Sequence, residues 1–144
     1  MIDWRSERGS MLIEVLFLMV LLMLPLFYLV GTLGRLQAGA YAASASAREA
    51  GRAYVTAQDE SSASGRGNAA ANLVFDAHGF DAGEGSVSIS CSSVPCLTPG
   101  GQIEVTSVVR VDIPLIPDFM AGAVPTSVSM TSSHVEPVDA FREG

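Results

Sequence analysis

The sequence predicts an α+β fold in which a long N-terminal transmembrane helix extends into a stalk, followed by a short helix and a small three-stranded antiparallel sheet. Three observations predict it: an apolar run at residues 11–33, an Ala-rich stretch directly after it, and three strand-like segments in the C-terminal half. With 144 residues the chain has room for one domain with its own core.

The net charge of the chain indicates which classes of partner to expect. The chain is 49% hydrophobic and 16% charged, with a formal net charge of −7. A nucleic-acid-binding protein would present a basic patch, so we expect no nucleic-acid partner. The hydrophobic excess comes mostly from residues 11–33, which indicates a membrane element and not a large core.

Residues 11–33 are the predicted membrane-spanning part of the first helix. Of these 23 residues 19 are apolar, and as a helix they cover about 34 Å, enough to cross the hydrocarbon core of a bilayer. The lipid bilayer is therefore a predicted partner. Pro25 lies inside the run and removes one backbone hydrogen bond, so we expect a helix kink near residues 21–26.

Glu14 is the single residue in this run that is charged at neutral pH. A carboxylate in a membrane helix is costly and is by default a candidate functional residue. A cut after Gly9 would make Ser10 the first residue and Glu14 the fifth. The carboxylate would then lie one helical turn from the new amino terminus, or reach the amine of an adjacent subunit. A short charged leader, a glycine before the cut and a glutamate at the fifth position form the arrangement of a type IV prepilin.

The segment from Arg8 to Val15, followed by the leucine-rich run, resembles the TadE-like minor pilins or pseudopilins of the tight-adherence (Flp, type IVc) pilus systems. The family often has an aromatic residue after the glutamate, where this chain has Val15. The resemblance implies a pilin-like fold and a prepilin peptidase that cleaves between Gly9 and Ser10 on the cytoplasmic side. It also implies a role in pilus assembly, with other pilin or pseudopilin subunits and the assembly machinery as partners.

Two other interpretations of the N-terminal segment remain open. Arg5 and Arg8 before the apolar run, with Ala38–Ala40 behind it, also match a secretory signal. Cleavage after Ala40 would release a small secreted domain, but the run is longer than the usual ~7–15 residues of such signals. The other interpretation is an unprocessed single-pass envelope protein that keeps Met1.

The apolar run passes without a helix stop into an Ala-, Gly- and Ser-rich stretch. Alanine is the strongest helix former, and the first strong stop is the cluster that begins at Asp59. We therefore expect the helix to continue over residues 34–60. Small side chains let helices approach closely, which favours packing against other subunit helices over a fully solvated stalk.

The C-terminal residues 61–144 are expected to form a small α+β head. Residues 61–67 have a linker-like composition, and Asn68 is the expected N-cap of a short helix that ends before Gly79. Alternation of polar and apolar residues predicts three strands, at residues 86–91, 102–111 and 126–135. Simple connections favour an antiparallel sheet with one buried face, lying under the long helix or under the short one.

The two cysteines, Cys91 and Cys96, flank a proline turn outside the membrane run. They can close a small disulfide loop if the compartment is oxidising, and two free thiols are the alternative. The cluster Asp76-Ala77-His78-Gly79-Phe80-Asp81 matches no metal-ligand spacing, so a solvated helix end is the better interpretation. The chain has no lysine and no nucleophile–base motif, so we expect no enzyme activity, no cofactor and no metal.

Four segments describe the expected organisation of the chain. They are a prepilin-type leader at 1–9, a transmembrane helix at 10–33, its continuation as a stalk at 34–60, and the head at 61–144. With the leader on the cytoplasmic side, the protein is expected to be single-pass with an extracytoplasmic head, and to enter a surface pilus.

Overall fold

The computed structural model describes residues 5–114, 116, 122–123 and 125–141, and only the backbone of residues 5–10. The elements in chain order are α1 (Arg5–Val55), α2 (Glu60–Ala77), β1 (Gly85–Cys91), β2 (Gln102–Asp112) and β3 (Ser127–Pro137). The strands form one antiparallel sheet in the order β1-β2-β3. The predicted α+β class is therefore confirmed, with a long N-terminal apolar helix, a second helix and a three-stranded sheet.

The chain divides after Gly34 into two compact units, Met1–Gly34 and Arg35–Gly144. In the first unit the structure describes the N-terminal part of α1, and residues 1–4 of the expected leader lie outside the described residues. The second unit contains the rest of α1 together with α2 and the sheet. The segment expected to be a stalk thus belongs, as far as Val55, to the same unit as the sheet.

The core of the second unit lies between one face of the sheet and both helices. On β2 the predicted inward face is confirmed, because every second residue is buried: Ile103, Val105, Ser107, Val109 and Val111. The intervening residues of β2 are exposed or half-buried. The alternation arises because successive side chains of a strand point to opposite sides of the sheet.

Small residues let α1 approach this sheet closely. Alanines dominate its buried face, and a methyl group on Gly51 would lie 3.5 Å from Cγ2 of Val105. At Gly39 an added methyl group would clash with Val111. The Ala-, Gly- and Ser-rich composition of residues 35–55 is therefore explained in part by packing within this chain.

The second helix, α2, is longer than the sequence predicts. It begins at Glu60, with Asp59 as its N-cap, so the linker-like residues 61–67 are helical and Asn68 is not an N-cap. The Asp59 carboxylate accepts a hydrogen bond from the backbone N–H of Ser62 at 2.9 Å. Ala63 and Gly67 are buried, so tertiary packing outweighs the weak helix propensity of serine and glycine in this stretch.

Each helix covers a different part of the inner sheet face. A methyl group on Gly67 of α2 would lie 3.2 Å from Cδ1 of Ile89 on β1 and 3.3 Å from the backbone oxygen of Ala50 on α1. A methyl group on Gly85 would lie 2.6 Å from the ring of Phe75. The sheet is therefore covered by both helices, α2 over β1 and α1 over the strands β2 and β3.

Candidate functional site

The candidate processing and assembly residues all lie on the first helix. Gly9 and Ser10 have helical backbone within α1, and Glu14 follows one turn later with an exposed side chain. Residues four apart in a helix lie on the same face, about 6 Å apart along the axis. The helix thus has the spacing that the proposed pairing of an amine at Ser10 with Glu14 requires.

The apolar side chains on both sides of Glu14 in the sequence are exposed around the helix. Leu12 is 73% exposed, Phe17 64% and Phe27 72%. The most apolar window has a mean hydropathy of 2.6, so this helix is long and apolar enough to cross a membrane. A surface of this kind is stable only when lipid or other apolar side chains cover it.

Pro25 lies inside α1, and the helix is continuous from Arg5 to Val55. The ring of a proline removes one backbone N–H donor from a helix, and membrane helices tolerate this where neighbouring groups compensate. A kink at residues 21–26 stays a prediction.

The two cysteines are joined in a disulfide, with Cα atoms 5.2 Å apart. The loop that it closes is held at both ends. The backbone N–H of Cys96 donates to the Glu60 carboxylate at 3.0 Å, and the N–H of Ser92 donates to the carbonyl of Gln102 at 2.9 Å. Val94, between the cysteines, is 94% exposed.

Residues 76–81, the acid- and histidine-containing cluster at the end of α2, form hydrogen bonds with residues close to them in sequence. A ring nitrogen of His78 lies 2.9 Å from the carbonyl oxygen of Val74, and the backbone N–H of Asp81 donates to the Glu84 carboxylate at 2.6 Å. Within the described ranges no three His, Cys, Asp or Glu side chains are grouped as metal ligands.

Two contacts of α1 in the second unit are not apparent from the sequence. The Arg35 guanidinium donates to the carbonyl oxygen of Gly79 at 2.9 Å and lies 4.7 Å from the ring centre of Phe80. The hydroxyls of Ser46 and Ser107 lie 2.7 Å apart in the core. Both contacts join residues more than 40 positions apart, and no local sequence pattern indicates such partners.

The exposed side of α1 in the second unit carries large polar and aromatic side chains, with Gln37 and Glu49 among them. Tyr41, Arg48 and Arg52 are exposed, Tyr41 by 70%. At 3.6 residues per turn, positions i, i+7 and i+11 fall within about 40° of one another around a helix. We refer to Tyr41, Arg48 and Arg52 as the outer stripe.

Searches against models of protein families, against curated proteins and against solved structures found no match to this chain. The candidate functional residues are Gly9, Ser10 and Glu14 on the N-terminal part of α1, and the outer stripe on the rest of that helix.

Proposed function

We propose that this protein is a membrane-anchored minor pilin or pseudopilin that takes part in assembly of a tight-adherence type pilus. Its leader is cut between Gly9 and Ser10, and the mature helix then passes from the bilayer into an assembling fibre or into a complex at its base. The observation that carries the proposal is the lone carboxylate of Glu14, one helical turn after Ser10 in an otherwise apolar helix.

The chemistry of this carboxylate favours a partner. An ionised side chain in a membrane helix costs on the order of 2.5–3.5 kcal/mol at the bilayer centre and less near an end. Cleavage after Gly9 creates a positive amine at Ser10. An ion pair between this amine and Glu14, in the same chain or in an adjacent one, offsets part of the cost and fixes the position of one helix against the next.

The exposed apolar surface of α1 supports assembly as well as anchoring. In the bilayer, lipid covers side chains such as Leu12 and Phe27. In a fibre, the corresponding helices of other subunits must replace the lipid, because an apolar surface of this size is unstable in water.

The disulfide supports an extracytoplasmic position for the head. Disulfides persist in oxidising compartments and are rare in the cytosol. With Cys91 and Cys96 outside the cytoplasm and a leader within it, the protein crosses the membrane once. A prepilin peptidase, other pilin or pseudopilin subunits and the assembly machinery are the partners that this arrangement requires.

The packing of α1 counts against release of a secreted domain after Ala40. This bond lies in continuous helix, next to Gly39, which is buried against Val111 and Met130. A cut there would remove Gly39 from the core and would also remove Arg35, which holds Gly79 and Phe80. The protein would lose part of its own fold on release.

The N-terminal residue of the mature protein tests the proposal. Protein purified from the native membrane should begin at Ser10 by N-terminal sequencing and intact mass, and a Gly9→Leu variant, with a bulky residue before the cut, should keep Met1. A native start at Tyr41 would identify a secreted domain. A native start at Met1 would identify an unprocessed envelope protein, and either result would overturn the proposal.

A further inference from the structure

The outer stripe is a polar and aromatic surface on a helix whose other side is buried. The buried side of α1 in the second unit is made of small residues and one tyrosine: Gly39, Ala42, Ala43, Ser46, Ala47, Ala50, Gly51 and Tyr54. Tyr41, Arg48 and Arg52 lie on the opposite side. Tyrosine and arginine are residue types that often dominate the binding energy of protein interfaces.

The two arginines of the stripe have no carboxylate partner in the described part of the chain. The arginine–carboxylate pair found there is Arg110 with Asp112, and His134 contacts Glu136 at 3.0 Å. Arg48 donates to the hydroxyl of Ser44 at 2.6 Å, which leaves its charge without a counter-ion. The exposed Glu49 lies beside them on α1 without forming an ion pair to either arginine. Two unpaired positive charges, four residues apart on one face, favour an acidic partner.

The chain itself carries an acidic surface of the required kind. Asp76 and Asp81 are exposed at the end of α2, beside a concave surface whose floor includes Phe75 and Phe80. The nearby Arg35 donates to the carbonyl oxygen of Gly79, and is paired with neither carboxylate. The two exposed carboxylates complement the two arginines of the stripe.

The stripe and the acidic surface of one copy lie at different heights along α1. The hydrogen bond from Arg35 places Gly79 level with the start of the second unit, whereas Arg48 and Arg52 follow 13 and 17 residues later. At 1.5 Å per residue the offset is roughly 20–25 Å. Two copies shifted by this distance could bring a stripe against an acidic surface.

We propose that the outer stripe binds the Asp76 and Asp81 surface of a second copy of this chain. The contact joins two different surfaces, so each copy can bind a further copy. Because neighbouring copies are shifted along α1 by this offset, the series stays open and staggered instead of closing into a ring. This inference rests on the proposed function, for which it supplies a contact between heads.

The absence of lysine from the chain allows a direct test. Arg52→Lys introduces one side-chain amine, which a zero-length carbodiimide couples only to a carboxylate in direct contact. We expect a cross-linked dimer of the full-length protein in its native membrane, with Lys at position 52 joined to Asp76 or Asp81 of the other copy. Mixing isotopically labelled and unlabelled chains identifies links between copies.

Matched variants keep the test specific. Arg66→Lys places the amine on the exposed side of α2 and should give no dimer above background. Adding Asp76→Asn and Asp81→Asn to Arg52→Lys should abolish the link. The inference is wrong if Arg52→Lys gives no dimer, if its link ends on another protein, or if the link survives the double asparagine change.

The start of the mature chain separates this inference from the proposed function. A chain that begins at Ser10 but forms no link would overturn the inference and leave the proposed function in place. A chain that begins at Met1 but forms the link would overturn the processing and leave a self-associating membrane protein.

Discussion

Ser46 on α1 and Ser107 on β2 share a hydrogen bond of 2.7 Å, and both residues are fully buried. The Ser46 hydroxyl also lies 3.1 Å from the carbonyl oxygen of Ala43. A buried hydroxyl without a partner costs free energy, so this pair favours a single position of the helix along the strand.

The two serines should respond unequally to mutation. Ser46→Ala leaves Ser107 without its partner and should destabilise the head by about 1–3 kcal/mol. Ser107→Ala should cost less, because Ser46 can still donate to Ala43. The double change to alanine should cost less than the sum of the single changes. Denaturant midpoints of the full-length protein in detergent, followed by near-UV circular dichroism, measure these differences, and equal losses would contradict the asymmetry.

Two helical glycines should give opposite effects when changed to alanine. A methyl group at Gly39 would clash with Val111, whereas nothing lies within 4 Å of one at Gly65. Gly39→Ala should destabilise the head by about 1–3 kcal/mol through overpacking. Gly65→Ala should stabilise it by about 0.5–1 kcal/mol, because alanine is the better helix former. The same denaturation measurement applies, and a stabilising Gly39→Ala would show that α1 is not packed closely on β2.

The inner face of the sheet follows from the sequence, and the start of α2 does not. Val105 and Val111 each lie between two polar residues, and this period of two identifies the buried face without knowledge of its partner. The first turns of α2 have no such pattern of apolar residues. They are stabilised by the Asp59 cap and by the packing of Gly67 against α1. Burial of small residues depends on a distant helix, which local propensity does not reveal.

The candidate functional residues also differ in whether the sequence alone identifies them. Glu14 is conspicuous in the sequence because it is charged within an apolar run. The outer stripe becomes apparent only when the buried side of α1 is known, since Tyr41, Arg48 and Arg52 are ordinary residues in a helical sequence. The partners of Arg35 depend on how α2 ends, which fixes Gly79 and Phe80 in space.

The cap of α2 should make stability depend on pH at the acid end. The hydroxyl of Ser61 and the backbone N–H and hydroxyl of Ser62 hold the pKa of the Asp59 carboxyl below its usual value. A lowered pKa in the folded state stabilises the fold above the unfolded-state pKa, and this contribution is lost as the pH falls through the folded-state pKa. Asp59→Asn keeps a capping side chain without the charge.

We therefore expect the wild type to lose stability relative to Asp59→Asn as the pH is lowered through the acid range in which this carboxyl titrates. Asp59→Ala, which removes the cap, should be less stable than Asp59→Asn at neutral pH. Denaturant midpoints of the three proteins across acid and neutral pH test both points. A constant difference between wild type and Asp59→Asn would contradict the role of the ionised carboxylate.

Reduction of the disulfide should weaken the head modestly. Closing a loop as short as Cys91–Cys96 removes little chain entropy, so its loss should cost about 2 kcal/mol. The Cys91→Ser/Cys96→Ser variant should have the same denaturant midpoint as the reduced wild type and should not respond to dithiothreitol. A wild-type midpoint unchanged by dithiothreitol would indicate that the two thiols are free in the native protein.

Loss of the Glu14 carboxylate should impair assembly and leave membrane insertion intact. Glu14→Ala removes the single charge from the apolar run, so the variant should insert at least as well as the wild type. It should nevertheless assemble poorly, because the amine at Ser10 loses its proposed partner. Membrane fractionation measures insertion, and the amount of this chain that co-purifies with other pilus subunits measures assembly. Glu104→Ala removes an exposed carboxylate from β2 and should leave both unchanged. Normal assembly of Glu14→Ala would show that the carboxylate does not take part in contacts between subunits.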